Sequence, residues 1–449
     1  MNLMESVRTR LAPLTSAFRA LRYRNYRLFF FGQGVSLIGT WMQSTALSWL
    51  VYRMTGSKAL LGIVAFASMF PMFVLTPLAG VFSDRVNRRN ILVVTQTLAM
   101  LQAFVLAALV FTGVIAVWHI VVLGVFLGLC IAFDMPTRHA FVVEMVERRD
   151  DLSNAIALNS LVFNTARFIA PGLAGMLIYA CPNEGPLFVI NGVTFLAVIV
   201  AYFAMRLPGK PRRRRGGRIL GELMEGVTYV WRCPPMRAVL VLISVVSLGG
   251  MPYVTLMPVF ARDVLGGDAR TFGWLLTASG LGAVAGAAFL ASRKDVSAFP
   301  WIIPWATATL GASLVAFSLS THFWVSATFI AVVGFSLMIE IAASNTVVQT
   351  MVADDKRGRV MGLFALSFLG IAPFGHFIAG MVAERVGAPV TLLGGGVACL
   401  IGAAGFLPAV AGVRKLACPV CPEKGVPEEI AEGMRAASIG PAPDEVDEG

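Results

Sequence analysis

Twelve long apolar runs divide the chain, at about 28–52, 58–83, 90–113, 117–138, 153–181, 185–207, 237–261, 271–292, 300–320, 323–344, 358–384 and 388–413. Each can cross a bilayer as a helix, because about 20 residues at 1.5 Å rise cover a hydrocarbon core of about 30 Å. The pattern predicts an all-α membrane protein with twelve spans. Polar residues gather between the runs, and one break is longer than the rest. There a basic stretch, Pro208 to Gly217, leads into residues with helical spacing. Ile219, Leu220, Leu223, Met224, Val227, Val230 and Trp231 fall on one face, Glu222 and Glu225 on the other. This is an amphipathic helix expected to lie at the inner membrane surface, or a plain tether between two halves.

The two groups of six runs are weak repeats of each other. Gly128 and Asp134 in span 4 echo Gly334 and Glu340 in span 10. Ile169-Ala-Pro171-Gly in span 5 echoes Ile371-Ala-Pro373-Phe in span 11, and Ser36-Leu-Ile-Gly39 echoes Ser247-Leu-Gly-Gly250. The predicted organisation is a basic N-terminal segment (1–27), a first six-helix bundle (28–207), a basic linker with its helix (208–236), a second bundle (237–413) and a tail (414–449). The tail is rich in Pro, Glu, Asp, Ala and Gly; it cannot bury a core and is expected to be disordered.

Composition agrees with the pattern. The chain is 57% hydrophobic and 14% charged, against about 45–50% and about 25% for soluble domains. The formal charge of +11 is no nucleic-acid footprint, since the basic residues lie between apolar runs. With both termini inside, 30 of the 36 Lys and Arg fall on the cytoplasmic side, five in outer loops, and Arg167 alone within a span. Short cytoplasmic loops retain Lys and Arg, so this count sets the orientation. The six cysteines are scattered and imply no extracellular disulfide framework. Cys418-Pro-Val-Cys421 is half a tetrahedral zinc site without a second pair, so no metal or cofactor is expected. The N-terminus is too long and too basic for a cleaved signal. No His-rich or Ser/His/Asp arrangement in the loops points to an enzyme, and a tail of about 36 residues is too small for a sensor's output domain.

One connection stands apart: Gly80-Val-Phe-Ser-Asp84-Arg85-Val-Asn87-Arg88-Arg89. It resembles the loop 2–3 signature of the major facilitator superfamily, Gly-x-x-x-Asp-Arg-x-Gly-Arg-Arg, with Asn87 where the family has glycine. Asparagine tolerates a left-handed backbone better than most residues, so the turn is expected still to form. The resemblance implies two pseudo-symmetric six-helix bundles, substrate bound between them near the midplane, and alternating access. The cluster Asp84, Arg85, Arg88 and Arg89 then latches the cytoplasmic face. The second-half copy is degraded to Ser292-Arg-Lys-Asp295.

Charge inside a bilayer is costly, so ionisable residues in spans are functional candidates. Arg167 lies about 14 residues, roughly 21 Å, into span 5. Asp134 lies toward the cytoplasmic end of span 4, four residues from Arg138, with which it can pair. Glu340 lies well inside span 10. The resemblance implies that spans 1, 4, 7 and 10 line the cavity. A carboxyl group in a low dielectric binds and releases a proton near neutral pH, as proton-driven export requires. Glu340 is thus the leading protonation site, Asp134 the second, and Arg167 the counter-charge; the alternative is that all three only hold the bundle together.

Span 5 carries Asn159, Asn164, Arg167, Pro171, Gly172 and Gly175. It is similar to a loose form of the antiporter signature Gly-Pro-x-x-Gly-Gly, in which proline bends the helix and glycines admit a neighbour. Together with Asp134-x-Pro-x-Arg138, this resembles the enterobactin-exporter and macrolide-efflux branch, the transmembrane secretion effectors. Gln33, Trp41, Met42, Gln43, Met251, Tyr253 and Met257 on spans 1 and 7 are the candidates for an adaptable apolar cavity. The expectation is a monomeric exporter in a bacterial inner membrane that trades a small hydrophobic molecule, siderophore or drug-like, for protons. Uptake or uniport is the alternative.

Overall fold

The computed structural model describes residues 18–146, 148, 151–206, 219–293, 296–353 and 356–417, with only the backbone described at 77, 78, 80, 81, 84, 85, 219–223 and 296. The Cys418/Cys421 pair and most of the basic linker and terminal segments lie outside these residues. Thirteen helices of ten or more residues are present among those described: α1 (Arg24–Thr55), α2 (Lys58–Arg85), α3 (Arg88–Phe111), α4 (Val117–Met145), α5 (Leu152–Ala180), α6 (Gly185–Ala204), α7 (Ile219–Trp231), α8 (Pro234–Val264), α9 (Ala269–Ala291), α10 (Phe299–Leu319), α11 (Phe323–Met351), α12 (Arg357–Val386) and α13 (Ala388–Ala417). Eleven are long and apolar enough to cross a membrane. The other long one, α1, carries Gln33, Ser36, Thr40, Gln43, Ser44, Thr45 and Ser48 and is correspondingly less apolar.

Local chemistry ends the helices. Gly56, at φ 63°, closes α1 in the left-handed conformation that glycine adopts without steric penalty. Ser57 then caps α2 by accepting from the Leu60 N–H. Asp268 caps α9 by accepting from Arg270 and Thr271. Asn87 corrects the sequence expectation. Its backbone is extended (φ −64°, ψ 114°), and its side chain accepts from the Arg89 N–H as the N-cap of α3. Capping, not a left-handed turn, is what asparagine supplies there.

Three π-helical turns were not foreseen: Val246–Gly250 and Phe260–Val264 in α8, and Leu366–Gly370 in α12. The first and third lie just before Pro252 and Pro373, whose missing N–H disrupts the regular ladder. The two turns face each other, with the Ser247 hydroxyl donating to the Phe368 carbonyl at 2.5 Å.

The same packing scheme serves both halves. In the first, α2 packs on α4, α3 on α4 and α6, and α1 on α6; in the second, α9 packs on α11, α10 on α11 and α13, and α8 on α13. The halves join chiefly through α5 against α9 and α2 against α12. One hydrophobic core spans both halves, holding Trp49, Tyr52 and Leu61 with Tyr253, Phe260 and Phe272. All of these lie toward the end formed by residues 56–57, 181–184 and 265–268, here called the joined end. At the opposite, basic end each half has its own core: Tyr26, Phe141 and Tyr202 in one, Met236, Val347 and Phe406 in the other. Among the described residues, the core shared by the halves thus lies toward the joined end, while the cores at the basic end are separate.

At the basic end Arg88 binds Glu144 at 2.7 Å, and Arg89 donates to the Phe203 carbonyl at 2.9 Å, so the start of α3 is tied to the ends of α4 and α6. Helix α7 is helical as expected and packs on the start of α12, where Glu225 meets Arg359 at 2.8 Å.

Candidate functional site

The joining surfaces are built on glycine. A Cβ on Gly175 of α5 would lie 2.9 Å from the Cα of Gly273 on α9, and one on Gly172 would lie 2.7 Å from the Thr277 hydroxyl. Further along, Gly280 faces the Phe168 backbone. On the other side of the molecule, a Cβ on Gly62 of α2 would lie 2.7 Å from the His376 carbonyl and 2.9 Å from the Cα of Gly380. Small residues at these points let helix backbones meet with no side chain between them. The span-5 residues Pro171, Gly172 and Gly175 are therefore part of the seam between the halves.

Polar and aromatic contacts fasten the joined end across the seam. The Tyr52 hydroxyl donates to Asp263. Arg270 sits 3.6 Å over the Tyr179 ring, and Trp49 stacks on Phe272 at 5.8 Å. Glu384 of α12 caps the N-terminus of α2, accepting from Lys58 N at 2.7 Å, Ala59 N at 2.9 Å and Ser57 Oγ at 3.2 Å. A carboxylate there satisfies open N–H groups and meets the positive end of the helix dipole. Replacing Glu384 by alanine removes a cap of about 0.5–2 kcal/mol and shifts the closed-to-open ratio at this end by roughly 2–30-fold. Spin-label distances between Thr112 and Thr321, one in each half, should lengthen in Glu384→Ala; unchanged distances would show that Glu384 does not hold the joined end closed.

Toward the basic end the seam turns aromatic. Phe66, Phe70 and Phe73 of α2 meet Phe374 and Phe377 of α12, with centroid separations of 5.5–6.4 Å. In the first half Trp41 packs edge-on against Phe163 at 5.8 Å, and the Arg167 guanidinium lies 5.9 Å from the Trp41 ring. Arg167 is half-buried, and no described carboxylate lies within salt-bridge distance of it.

The two acids of the internal repeat differ. Asp134 is buried and satisfied: one oxygen accepts from Thr95 at 3.1 Å and Gln96 at 2.7 Å, and the other lies 3.3 Å from Arg138. Glu340 is fully buried in the second half. Its Oε1 accepts from Ser344 at 3.1 Å, and its Oε2 has no partner.

A family model for transmembrane secretion effectors matches residues 15–424. The chain belongs to this family. Among curated relatives, the multidrug efflux pump Tap of Mycolicibacterium fortuitum is 29% identical over 373 residues, covering 81% of this chain and 88% of that one. The macrolide efflux protein A of Streptococcus pyogenes is 22% identical, covering 82% and 92%. The staphyloferrin A transporter of Staphylococcus aureus is 24% identical, covering 58% and 64%. Solved structures share the major facilitator fold. A bacterial homologue of the lysosomal transporter Spinster superposes with TM-score 0.68 at 14% identity, covering 87% of this chain and 97% of that one. This effector-family protein is an integral membrane transporter of that superfamily.

The remaining sites predicted from sequence fall in several places within the fold. Met42, Tyr253 and Met257 are buried in the core that joins the halves. Tyr253 bonds to Ser279 at 2.6 Å. Gln43 is also withdrawn from the cavity, because its amide is consumed by Gln102 at 3.0 Å and Asn191 at 2.8 Å inside the first bundle. Gln33 is buried with its Oε1 unpartnered. Trp41 and Met251 keep partial exposure. The seven do not form a common lining. Asn164 donates to the Ser160 carbonyl of its own helix, and Asn159 is half-buried. Arg167 and Glu340 lie on different halves and form no ion pair. Gly80, Asp84 and Arg85 fall within α2, but their side chains are outside the description. The five phenylalanines of the α2–α12 seam were missed. Their spacing, Phe66, Phe70 and Phe73 with Phe374 and Phe377, was the available signal.

Proposed function

We propose that this transporter exports a small, moderately hydrophobic organic molecule, siderophore or drug-like, in exchange for inward-moving protons, working as a monomer by alternating access. The relatives named as efflux pumps and as a siderophore transporter support export. The excess of Lys and Arg at the basic end supports a cytoplasmic location for that end and for both termini, in the inner membrane. On this orientation the joined end, where the halves share one core, faces outward. The aromatic seam and the Trp41, Phe163 and Arg167 group suit an apolar substrate bearing an anionic or polarisable group.

The observation that carries proton coupling is the buried Glu340 with one oxygen lacking any donor. An ionised carboxylate so placed costs several kcal/mol, and taking up a proton relieves that cost. Asp134, fully satisfied, has no such reason to exchange. Arg88 and Arg89 brace the basic ends of α3, α4 and α6, and Asp84 and Arg85 complete the latch at that end when the halves close there.

The test is proton movement in everted vesicles carrying the protein, with an imposed pH gradient and a panel of siderophores and hydrophobic drugs. Dissipation that depends on the added compound is the expected result. Substrate movement with no proton response would replace this reading with uniport.

A further inference from the structure

The second half carries a groove within its own helices, apart from the contacts between the halves. It lies on the outer flank between α9, α10 and α11, on the side away from the seam, and encloses about 340 Å³. Trp301 (48% exposed) and Trp305 (69% exposed) open it sideways to the membrane. The rings of Phe289 and Phe335, 5.8 Å apart, form its floor. Along α10 the lining runs from Ala298, at the basic end, to Thr309. That is roughly 16 Å at 1.5 Å per residue, or about half of a 30 Å hydrocarbon core, the depth of one leaflet.

Two polar groups are set into this apolar wall. Arg293 stands exposed at the mouth, its guanidinium 4.8 Å over the Phe289 ring. No carboxylate among the described residues lies within salt-bridge distance of it, and its guanidinium is open to an anion at the groove mouth. Ser336 lines the groove about one helical turn deeper. It is 1% exposed, and its hydroxyl has no partner. A cation at the interface, a hydroxyl donor just below it and one leaflet's depth of aromatic wall match the order of groups along a phospholipid: phosphate, ester carbonyl, acyl chain. Two tryptophans beside the mouth suit the interfacial region. We infer that this groove binds one anionic phospholipid, with its phosphate on Arg293, an ester carbonyl accepting from Ser336, and an acyl chain lying along Trp305 toward Thr309. The net charge of the lipid matters because Arg293 and the other Lys and Arg enriched at this end favour an anionic headgroup. The inference does not depend on proton coupling or on the direction of transport.

The test uses the full-length protein, stripped of lipid and exposed to mixed micelles of phosphatidylglycerol and phosphatidylcholine. Retained lipid is counted by mass spectrometry, and the melting temperature is followed in parallel. Wild type should retain phosphatidylglycerol in preference to phosphatidylcholine and melt higher with it. Arg293→Gln should bind it roughly 10–100-fold more weakly, the factor of one charge-assisted hydrogen bond. Arg293→Lys should recover most of the binding, and Ser336→Ala should lose less than Arg293→Gln. Inorganic phosphate should neither bind nor displace the lipid. Equal retention by wild type and a folded Arg293→Gln protein would overturn the site. So would equal retention of the two lipids, or displacement by inorganic phosphate, which would mark a free-anion site.

Discussion

Glu340→Gln is expected to abolish substrate-driven proton movement while leaving the protein folded in the membrane and able to bind its ligand. Glutamine keeps the shape of the side chain and an oxygen for the Ser344 hydroxyl, now 3.1 Å from the carboxylate. It cannot carry a proton. Its amide nitrogen would stand where Oε2 stands unpartnered, at a cost of about 1–3 kcal/mol, which a helical bundle of this size absorbs. The loss should therefore appear in coupling rather than in expression: no gradient dissipation in everted vesicles, with substrate equilibration down its own gradient retained. Full gradient-driven export by Glu340→Gln would reject Glu340 as the coupling group. Asp134→Asn supplies the contrast. It strips Arg138 of its partner and weakens the bonds from Thr95 and Gln96, so its expected effect is lower thermal stability with coupling intact.

The second large effect is expected at the seam. In Gly175→Leu a side chain must enter a space where the Cβ alone would lie 2.9 Å from Gly273 Cα. The obstacle is backbone on both sides and cannot rotate away. Overpacking costs about 1–3 kcal/mol in cores that can adjust, and the seam can avoid it by separating. The substitution therefore penalises only conformations closed at the joined end, and about 1–3 kcal/mol corresponds to a population change of roughly 5–150-fold. Transport should fall by a comparable factor. Cysteines placed near Trp49 or Phe272 should become accessible to reagents from the joined end. Gly113→Ala serves as a control at a turn where a Cβ meets nothing within 4 Å, although its φ of 72° adds local strain. If Gly175→Leu transports normally and labels no faster than wild type, this seam does not open during the cycle.

Much of the fold was legible because a bilayer imposes length and apolarity on every span, and the observed helices match the predicted runs to within a few residues at most ends. The span-5 signature was legible too: Pro171, Gly172 and Gly175 stand out in any apolar run. Their partners did not. Gly273 and Gly280 are ordinary small residues until another half of the chain is brought against them. Glycine pairing across the halves therefore had no sequence signal of its own. The positions of the cavity candidates were not legible for a related reason. In a helix surrounded by lipid and other helices, hydrophobicity no longer marks the inward face, so Gln43 could not be assigned to a bundle interior and Met257 could not be assigned to the core. Phe66, Phe70 and Phe73 were hidden by a run in which nearly every neighbour is also apolar. The π turns at Val246–Gly250 and Leu366–Gly370 arise from backbone adjustment before prolines, and the sequence shows the prolines without the adjustment.

The bare seam also has a kinetic consequence. Interlocked side chains must change rotamer before two helices can part, but Gly62 against Gly380 and Gly175 against Gly273 have none to move. Parting there gives up only dispersion contacts worth about 0.1–0.2 kcal/mol per atom pair. In a rocking cycle the resistance at the joined end then comes from the side chains that do interlock, Trp49 on Phe272 and Arg270 on Tyr179, and from the bonds of Tyr52 to Asp263 and of Glu384 to the start of α2, while the glycine contacts act as smooth bearings.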